Sequence, residues 1–409
     1  MIHLRIVSQH EISVADPALV RELLVTSHDK QIRWERGVDV FSKVHGQSVF
    51  TTEGNVWHEK RRVLQPNFQR QAVHYFVPQI VAATNRCLTD WVSDGSSFPI
   101  ERALTSLTMD VILQMMVSGG IGADARRLES ALKTVSSATN AEMYWPASWP
   151  DWMPWKAPKR RARALLRSFI GGHVQERLRL PNQEWPDDLL ARLLHLHRGE
   201  PATWTLNAVQ DECMTTFLAG HATTAETLTW WAWCMAANPK AQATARAEVE
   251  HVLEGASPTA DSLRILRFLT QTLEETMRLY PVAPLLFTRR LTAPVSLGHW
   301  NLPVGTLVAI PVQVIHHDPR WYPEPLAFLP QRFAPEAPAI PRGAFLPFGT
   351  GPRVCLGQNL AMAEMTVIAA MILQRFSLSV PHGMLPPQPT MKVTLRPGIP
   401  LNLKVAARF

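Results

Sequence analysis

Between Thr205 and Pro239 the chain runs without a proline, and no other feature restricts its possible folds as much. Thr205 suits an N-cap, because its hydroxyl can accept from a free N–H of the first turn, and Pro239 stops a helix that reaches it. Leu206 to Asn238 is therefore expected to form one helix of about 50 Å at 1.5 Å per residue, enough to cross the whole molecule. Around Trp230-Trp231-Ala232-Trp233 it is apolar on nearly every side, so burial is expected.

The remaining periodicity points to a mainly α chain with a small β portion. The first dozen residues read as a strand, and Asp16-Pro17 opens a helix through Leu24. Trp34 to Thr52 reads as irregular, and helical character returns at Trp57. Residues 99–118 and 122–137 alternate at helical period, a helix from Phe268 ends at Pro281, and Gln358 to Arg375 forms a last strong helix. Strands broken by prolines are expected from Leu286 to Ile315, with a turn at Pro303-Val304-Gly305. Residues 318–347 hold many prolines and little periodicity. No repeat or low-complexity linker divides the chain, so a single domain over 1–409 is expected.

Tyr144 to Pro158 has its own character, with Trp145, Trp149, Trp152 and Trp155 set among Pro146, Pro150, Pro154 and Pro158. Prolines at that density exclude a regular helix. Two readings stay open: an aromatic-packed loop, or an apolar lid that meets a membrane surface or an oily substrate.

Composition removes several function classes. At 46% hydrophobic the 409 residues can bury a large core. Cys87, Cys213, Cys234 and Cys355 lie far apart, which argues against a zinc site and a disulfide framework and for a reducing, cytoplasmic setting. The net charge of +7 is spread along the chain. Its tightest basic run, Lys159-Arg160-Arg161-Ala162-Arg163, reads as a solvated helix start, and no nucleic-acid partner is expected. A basic surface suits an acidic electron-transfer partner. The start, Met1-Ile2-His3-Leu4-Arg5, is unlike a signal peptide. The longest apolar stretch, near Leu228 to Ala237, is short of the roughly 18 residues a membrane span needs, so a soluble chain with no transmembrane anchor is expected.

Chemistry concentrates in Phe348-Gly349-Thr350-Gly351-Pro352-Arg353-Val354-Cys355-Leu356-Gly357. One cysteine stands in a glycine-rich loop, two residues after an arginine and just before a helix. The helix dipole and its free N–H groups favour thiolate over thiol. Gly351 and Gly357 remove side chains where a flat ligand could press against the backbone. Such a cysteine is suited to hold a metal through sulfur.

This loop resembles the haem-binding loop of the cytochrome P-450 family, Phe-x-x-Gly-x-Arg-x-Cys-x-Gly, at every fixed position. The resemblance implies the P450 fold, a triangular helical prism with a long central helix. It implies haem b (iron protoporphyrin IX) with Cys355 as metal ligand, shielded by Phe348. It extends to Ala219-Gly220-His221-Ala222-Thr223-Thr224, which is similar to the family's oxygen-binding segment. There Ala219 and Gly220 leave a groove, and Thr223 steadies iron-bound oxygen and helps deliver protons. Thr223 can also bond back to the carbonyl of Ala219. The family's carboxylate is replaced by Ala222, and Glu226, His221 or water are the alternatives for proton relay. Glu275-x-x-Arg278 with Arg332 matches the family's structural triad. Trp57 and Arg61, one helical turn apart, match its Trp-x-x-x-Arg propionate site, with Arg289, His316 and Arg353 as further propionate partners and Arg290 competing with Arg289. Phe217, Val282, Ala283, Leu285 and Leu286 are expected in the substrate pocket.

The resemblance implies a monooxygenase that inserts one atom of O2 into a hydrophobic organic substrate of secondary metabolism, by hydroxylation or epoxidation. It implies electrons from a ferredoxin or flavodoxin with its NAD(P)H reductase, and a monomer. The alternatives are an isomerase, dehydratase or peroxygenase on the same haem scaffold, or a non-catalytic haem-binding protein. Family members carry several tens of residues before the strand that begins near Met1, so a missing lead segment is also an expectation.

Overall fold

The computed structural model describes residues 2–6, 9–91, 94–120, 125–145 and 149–408. Met1, Pro146 and residues 122–124 of one expected helix lie outside them. Strands Ile2–Ile6 and Gln9–Ser13 pair antiparallel, after which Asp16 caps α1 (Pro17–Arg21) by accepting from the N–H groups of Ala18 and Leu19. A π-helical turn, Glu22–Thr26, continues it. Residues 34–52, expected to be irregular, instead contain α2 (Glu35–His45). Gly37 within it is a poor helix former, but it lies against the Phe287 ring, and Val40 and Val44 turn one side inward. Tertiary packing outweighs local propensity there.

Next come α3 (Gly54–Leu64), α4 (Arg70–Thr89), α5 (Ile100–Val117) and α6 (Ala125–Tyr144), the last extending beyond its expected end. The Trp-rich segment is irregular apart from a 3-10 turn at Pro154–Lys156. Pro158 then sits in the first turn of α7 (Ala157–Arg179), where the N–H it lacks would have no partner. The basic run at this helix start is only partly solvated: Arg161 is exposed as expected, but its neighbours are engaged. Lys159 and Lys156 are buried on Glu142 at 2.9 and 3.5 Å, Arg163 meets Asp151 at 3.2 Å, and Arg160 donates to the carbonyls of Asp151 and Met153. The charges clamp a segment whose Trp149, Trp152 and Trp155 rings stay exposed.

After α8 (Leu189–Gly199) comes the long helix, α9 (Leu206–Ala237), with Thr205 Oγ1 accepting from the Ala208 N–H at 3.2 Å. Pro239 both ends it and opens α10 (Pro239–Leu253), which leads to α11 (Arg267–Leu279), α12 (Val312–His316) and α13 (Gln358–Arg375). Helix α9 is the axis, with α5, α7, α8 and α11 packed on it. Trp230 and Trp231 are fully buried; Trp230 stacks on Tyr280 at 3.9 Å, and Trp231 Nε1 donates to Thr272 at 2.9 Å. Among the described residues no helix is long and apolar enough to cross a membrane.

A second, smaller core joins α1 to the 291–315 region. Its five-stranded sheet runs Ile2–Ile6, Gln9–Ser13, Leu307–Ala309, Arg289–Leu291, Gln31–Arg33. The last pairing sets Arg33 opposite Arg289. Strand Leu395–Pro397 returns from the C-terminal region to α9, where Trp230 Nε1 donates to the Leu395 carbonyl at 3.1 Å.

Candidate active site

The glycine-rich loop folds back on itself in front of α13. The Gly349 N–H donates to Leu346 O at 3.1 Å, Val354 N–H to Gly351 O at 3.0 Å, and Cys355 N–H to Phe348 O at 2.9 Å. Gly351 has φ +78°, and a Cβ there would meet the Leu24 carbonyl oxygen at 2.1 Å. Its glycine therefore serves the turn and the neighbouring π-helical turn, not a ligand as expected. Gly357 differs, since a Cβ there would meet nothing within 4 Å.

Cys355 lies deep in the molecule, yet its side chain is accessible, so it lines an internal cleft. Burial pushes its thiol up, and only then do the Gly357 N–H and Arg61 pull it back down. The groups expected to favour thiolate are in place, but desolvation dominates over them. A coordinated metal ion would reverse that balance by taking the proton's place.

Helix α9 supplies a second accessible surface. From Cys213 to Ala236 it is largely buried, but Ala219, Ala222, Thr223 and Glu226 are accessible and share one face. Ala219 is exposed in the middle of this central helix. Thr223 Oγ1 donates to Ala219 O at 2.8 Å, as the spacing predicts. Gly220 corrects the reading of a groove: a Cβ there would come within 2.7 Å of Ile112 Cδ1, so its glycine admits α5 rather than a cofactor. Phe217 is fully buried, stacked on His221, and is a core residue rather than a pocket residue. Segment 282–286 joins the two surfaces. Leu286 lies beside Gly349, and the Val282 carbonyl accepts from Leu395, next to Thr394 at the Glu226 carboxyl. Val282 and Leu286 are half-buried, and Ala283 and Leu285 are exposed.

Cations gather around one carboxylate. Arg353 sits over the Trp57 ring at 3.9 Å, donates to Thr52 O at 3.0 Å and pairs with Glu53. Arg33, which no motif marked, also pairs with Glu53 at 2.6 Å and donates to Thr52 O at 2.6 Å. Arg61 donates to the Val354 carbonyl at 2.8 Å. Burial, followed by the positive charge of Arg33, lowers Arg353 to about 9 and Arg289 to about 10. Arg33, Arg353 and Arg289 share the field of Glu53 and Arg61 acts on Arg353 beside them, so the cluster carries an excess of positive charge.

Two expected members lie elsewhere. Arg290 pairs outward with Glu35 at 2.7 Å, whereas Arg289 lies in the field of Glu53. His316 is fully buried beside Phe345, its Nε2 accepting from the Leu346 N–H at 2.8 Å while its carbonyl receives Arg278. It belongs to the scaffold rather than to the cation cluster. In that scaffold Glu275 takes a bidentate bond from Arg278 at 2.7 and 2.8 Å, meets Arg332 at 3.3 Å and accepts from the Leu329 N–H. Sequence reasoning also missed Lys60, which meets Glu212 at 2.8 Å and ties α3 to α9.

An accessible sulfur in a cleft, open space at Gly357, an uncovered Ala219 and surplus guanidiniums fit a flat metal macrocycle that carries two carboxylates. That is the expected haem b. The family description Cytochrome P450 matches residues 1–405. The chain is 30% identical over 373 residues to cyclooctat-9-en-7-ol 5-monooxygenase of Streptomyces melanosporofaciens, covering 88% of this chain and 79% of that protein. It is 31% identical over 379 residues to 11-oxo-beta-amyrin 30-oxidase of Glycyrrhiza uralensis, covering 86% and 71%. It is 29% identical over 415 residues to cytochrome P450 714C3 of Oryza sativa subsp. japonica, covering 94% and 80%.

Proposed function

The chain belongs to the cytochrome P450 family, a family of haem-thiolate monooxygenases, and on that premise we propose that Cys355 would hold the iron of haem b through its sulfur. The observation that carries this reading is the accessible Cys355 sulfur beside a cluster of arginines with too few acids. Arg61, Arg289, Arg353 and Arg33, with Trp57, would hold the propionates by charge-assisted hydrogen bonds. Bound there, the haem supplies dioxygen activation, which thiolate ligation favours.

The other roles follow from the chain's own residues. Ala219 leaves room on α9, and the Thr223 hydroxyl beside it holds and passes a proton. Val282, Ala283, Leu285 and Leu286 offer an apolar wall that orients a substrate and excludes water. Hydroxylation or epoxidation of a hydrophobic secondary metabolite (terpene, polyketide or fatty-acid derivative) suits that wall. Two relatives are named for an unsaturated alcohol and an oxo compound, which makes cyclooctat-9-en-7-ol a sensible first probe. Electrons would come singly from a ferredoxin or flavodoxin with its NAD(P)H reductase, to one monomeric catalytic domain. Ala222 favours a second reading, in which the same scaffold uses peroxide or performs isomerisation or dehydration.

The test is a CO difference spectrum of the reduced, haem-loaded protein, followed by turnover with a reductase pair and with peroxide. A thiolate-type spectrum that Cys355→His abolishes, with oxygen from O2 in the product, is the expected result. A parent protein without that spectrum would overturn the assignment of Cys355. Turnover with peroxide alone would favour the second reading.

A further inference from the structure

A cleft that consumes protons needs a group able to give one near neutral pH, and Ala222 cannot. His221, its neighbour, is excluded by position. It is buried, its Nδ1 lies 2.8 Å from Phe217 O, and its ring stacks on Phe217, off the accessible face of α9. Burial lowers its pKa to about 4, so it is neutral at pH 7.

Glu226 stands differently. It lies one turn beyond Ala222 and is the last accessible position of the α9 stripe, since every residue from Thr227 to Ala236 is buried. Its carboxyl lies near the Thr394 side chain, and the charged groups that face it are Arg396 on strand Leu395–Pro397 and Glu101 at the start of α5. Its Oε2 is buried without a hydrogen-bond partner. Leaving a carboxylate oxygen in that state is costly, and protonation relieves it. Burial raises its pKa to about 7; Thr394 and Arg396 work against this, and Glu101 adds to it.

We infer that Glu226 replaces the missing acid at Ala222 and feeds protons to Thr223 through water in the cleft. The inference rests on the haem-thiolate reading and makes Glu226 a relay residue that acts through Thr223. Glu226 in its acid form gives a proton to a water, and that water gives one to Thr223 Oγ1. Thr223 then turns from Ala219 O and passes its own hydroxyl proton into the cleft. The Glu226 carboxylate takes a proton back from solvent water, and no electron moves.

Infrared titration of the haem-loaded protein tests the acid directly. In a Glu274→Gln background, which removes the other acid raised to about 7, a carboxylic-acid C=O band with a midpoint near pH 7 should be present, and it should be missing once Glu226→Gln is added. If the band survives the substitution, or none titrates there, the inference is overturned. Turnover of cyclooctat-9-en-7-ol with a reductase pair then tests the relay. Glu226→Gln should lower product per NAD(P)H roughly tenfold, with the balance released as peroxide, and Glu226→Asp should recover part of it. Adding Ala222→Glu to Glu226→Gln should restore coupling, which a merely structural role would not allow. Unchanged coupling and an unchanged pH profile in Glu226→Gln would sink the idea. Each variant must retain the parent's CO difference spectrum, so a failure of the haem reading is seen separately.

Discussion

Arg33 carries no motif, yet it shares both Glu53 and the Thr52 carbonyl with Arg353. Only strand pairing opposite Arg289 brings it there, so no local pattern could have announced it. Arg353 was legible because a single residue separates it from Cys355 inside one rigid loop. His316 and Phe217 show the reverse problem: each stands at a plausible chain position, but its side chain turns into the scaffold. We predict that Arg33→Met speeds haem loss by roughly tenfold or more, since a charge-assisted hydrogen bond contributes about 1.5–3 kcal/mol. Haem transfer to an apo-globin acceptor measures this, and an unchanged rate would remove Arg33 from the propionate set. Arg290→Met, at the outward pair with Glu35, should leave the rate as it was.

Helix α9 was readable end to end, because Thr205, Pro239 and the apolar run between them are local signals. What its middle does was not readable. Gly220 looks like a site residue in sequence, but it accommodates Ile112 of α5. Gly220→Ala would gain about 1 kcal/mol in helix propensity and lose about 1–3 kcal/mol to overpacking. A lower denaturant midpoint is the expected outcome, recovered at least in part by adding Ile112→Val. A midpoint raised by Gly220→Ala alone would show that α5 can yield. Helix α2 went unrecognised because Gly37 weakens its local signal, while its stability comes from Phe287 and the interior.

At the scale of the whole molecule, burial shifts opposed sets of titrating groups. His45 and His221 are lowered to about 4 and His316 to about 3, each chiefly by desolvation. The unfolded chain takes up those protons near pH 6.5, so their contribution is full above that pH and is lost as pH falls toward the folded values. Glu226 and Glu274 are raised to about 7, and Glu364 well above its usual range, again by burial. Their contribution is full below about pH 4.5 and is lost as pH rises through the folded values. Between about pH 4.5 and 6.5 the two sets oppose each other, so little change in the urea midpoint is expected there. Glu274→Gln removes one carboxyl and should expose the histidine slope, with stability falling toward acid. A midpoint equally flat in that variant would refute this opposition. The sequence by itself determined what local and periodic signals can carry: the long buried helix, the mainly α class, the cysteine loop and its cofactor. Tertiary structure alone decided which arginines share a carboxylate, which glycine serves packing, and which acid ends the accessible stripe of α9. Those outcomes depend on burial and on approaches between segments far apart in the chain, where desolvation sets the charge and no neighbour in sequence reveals it.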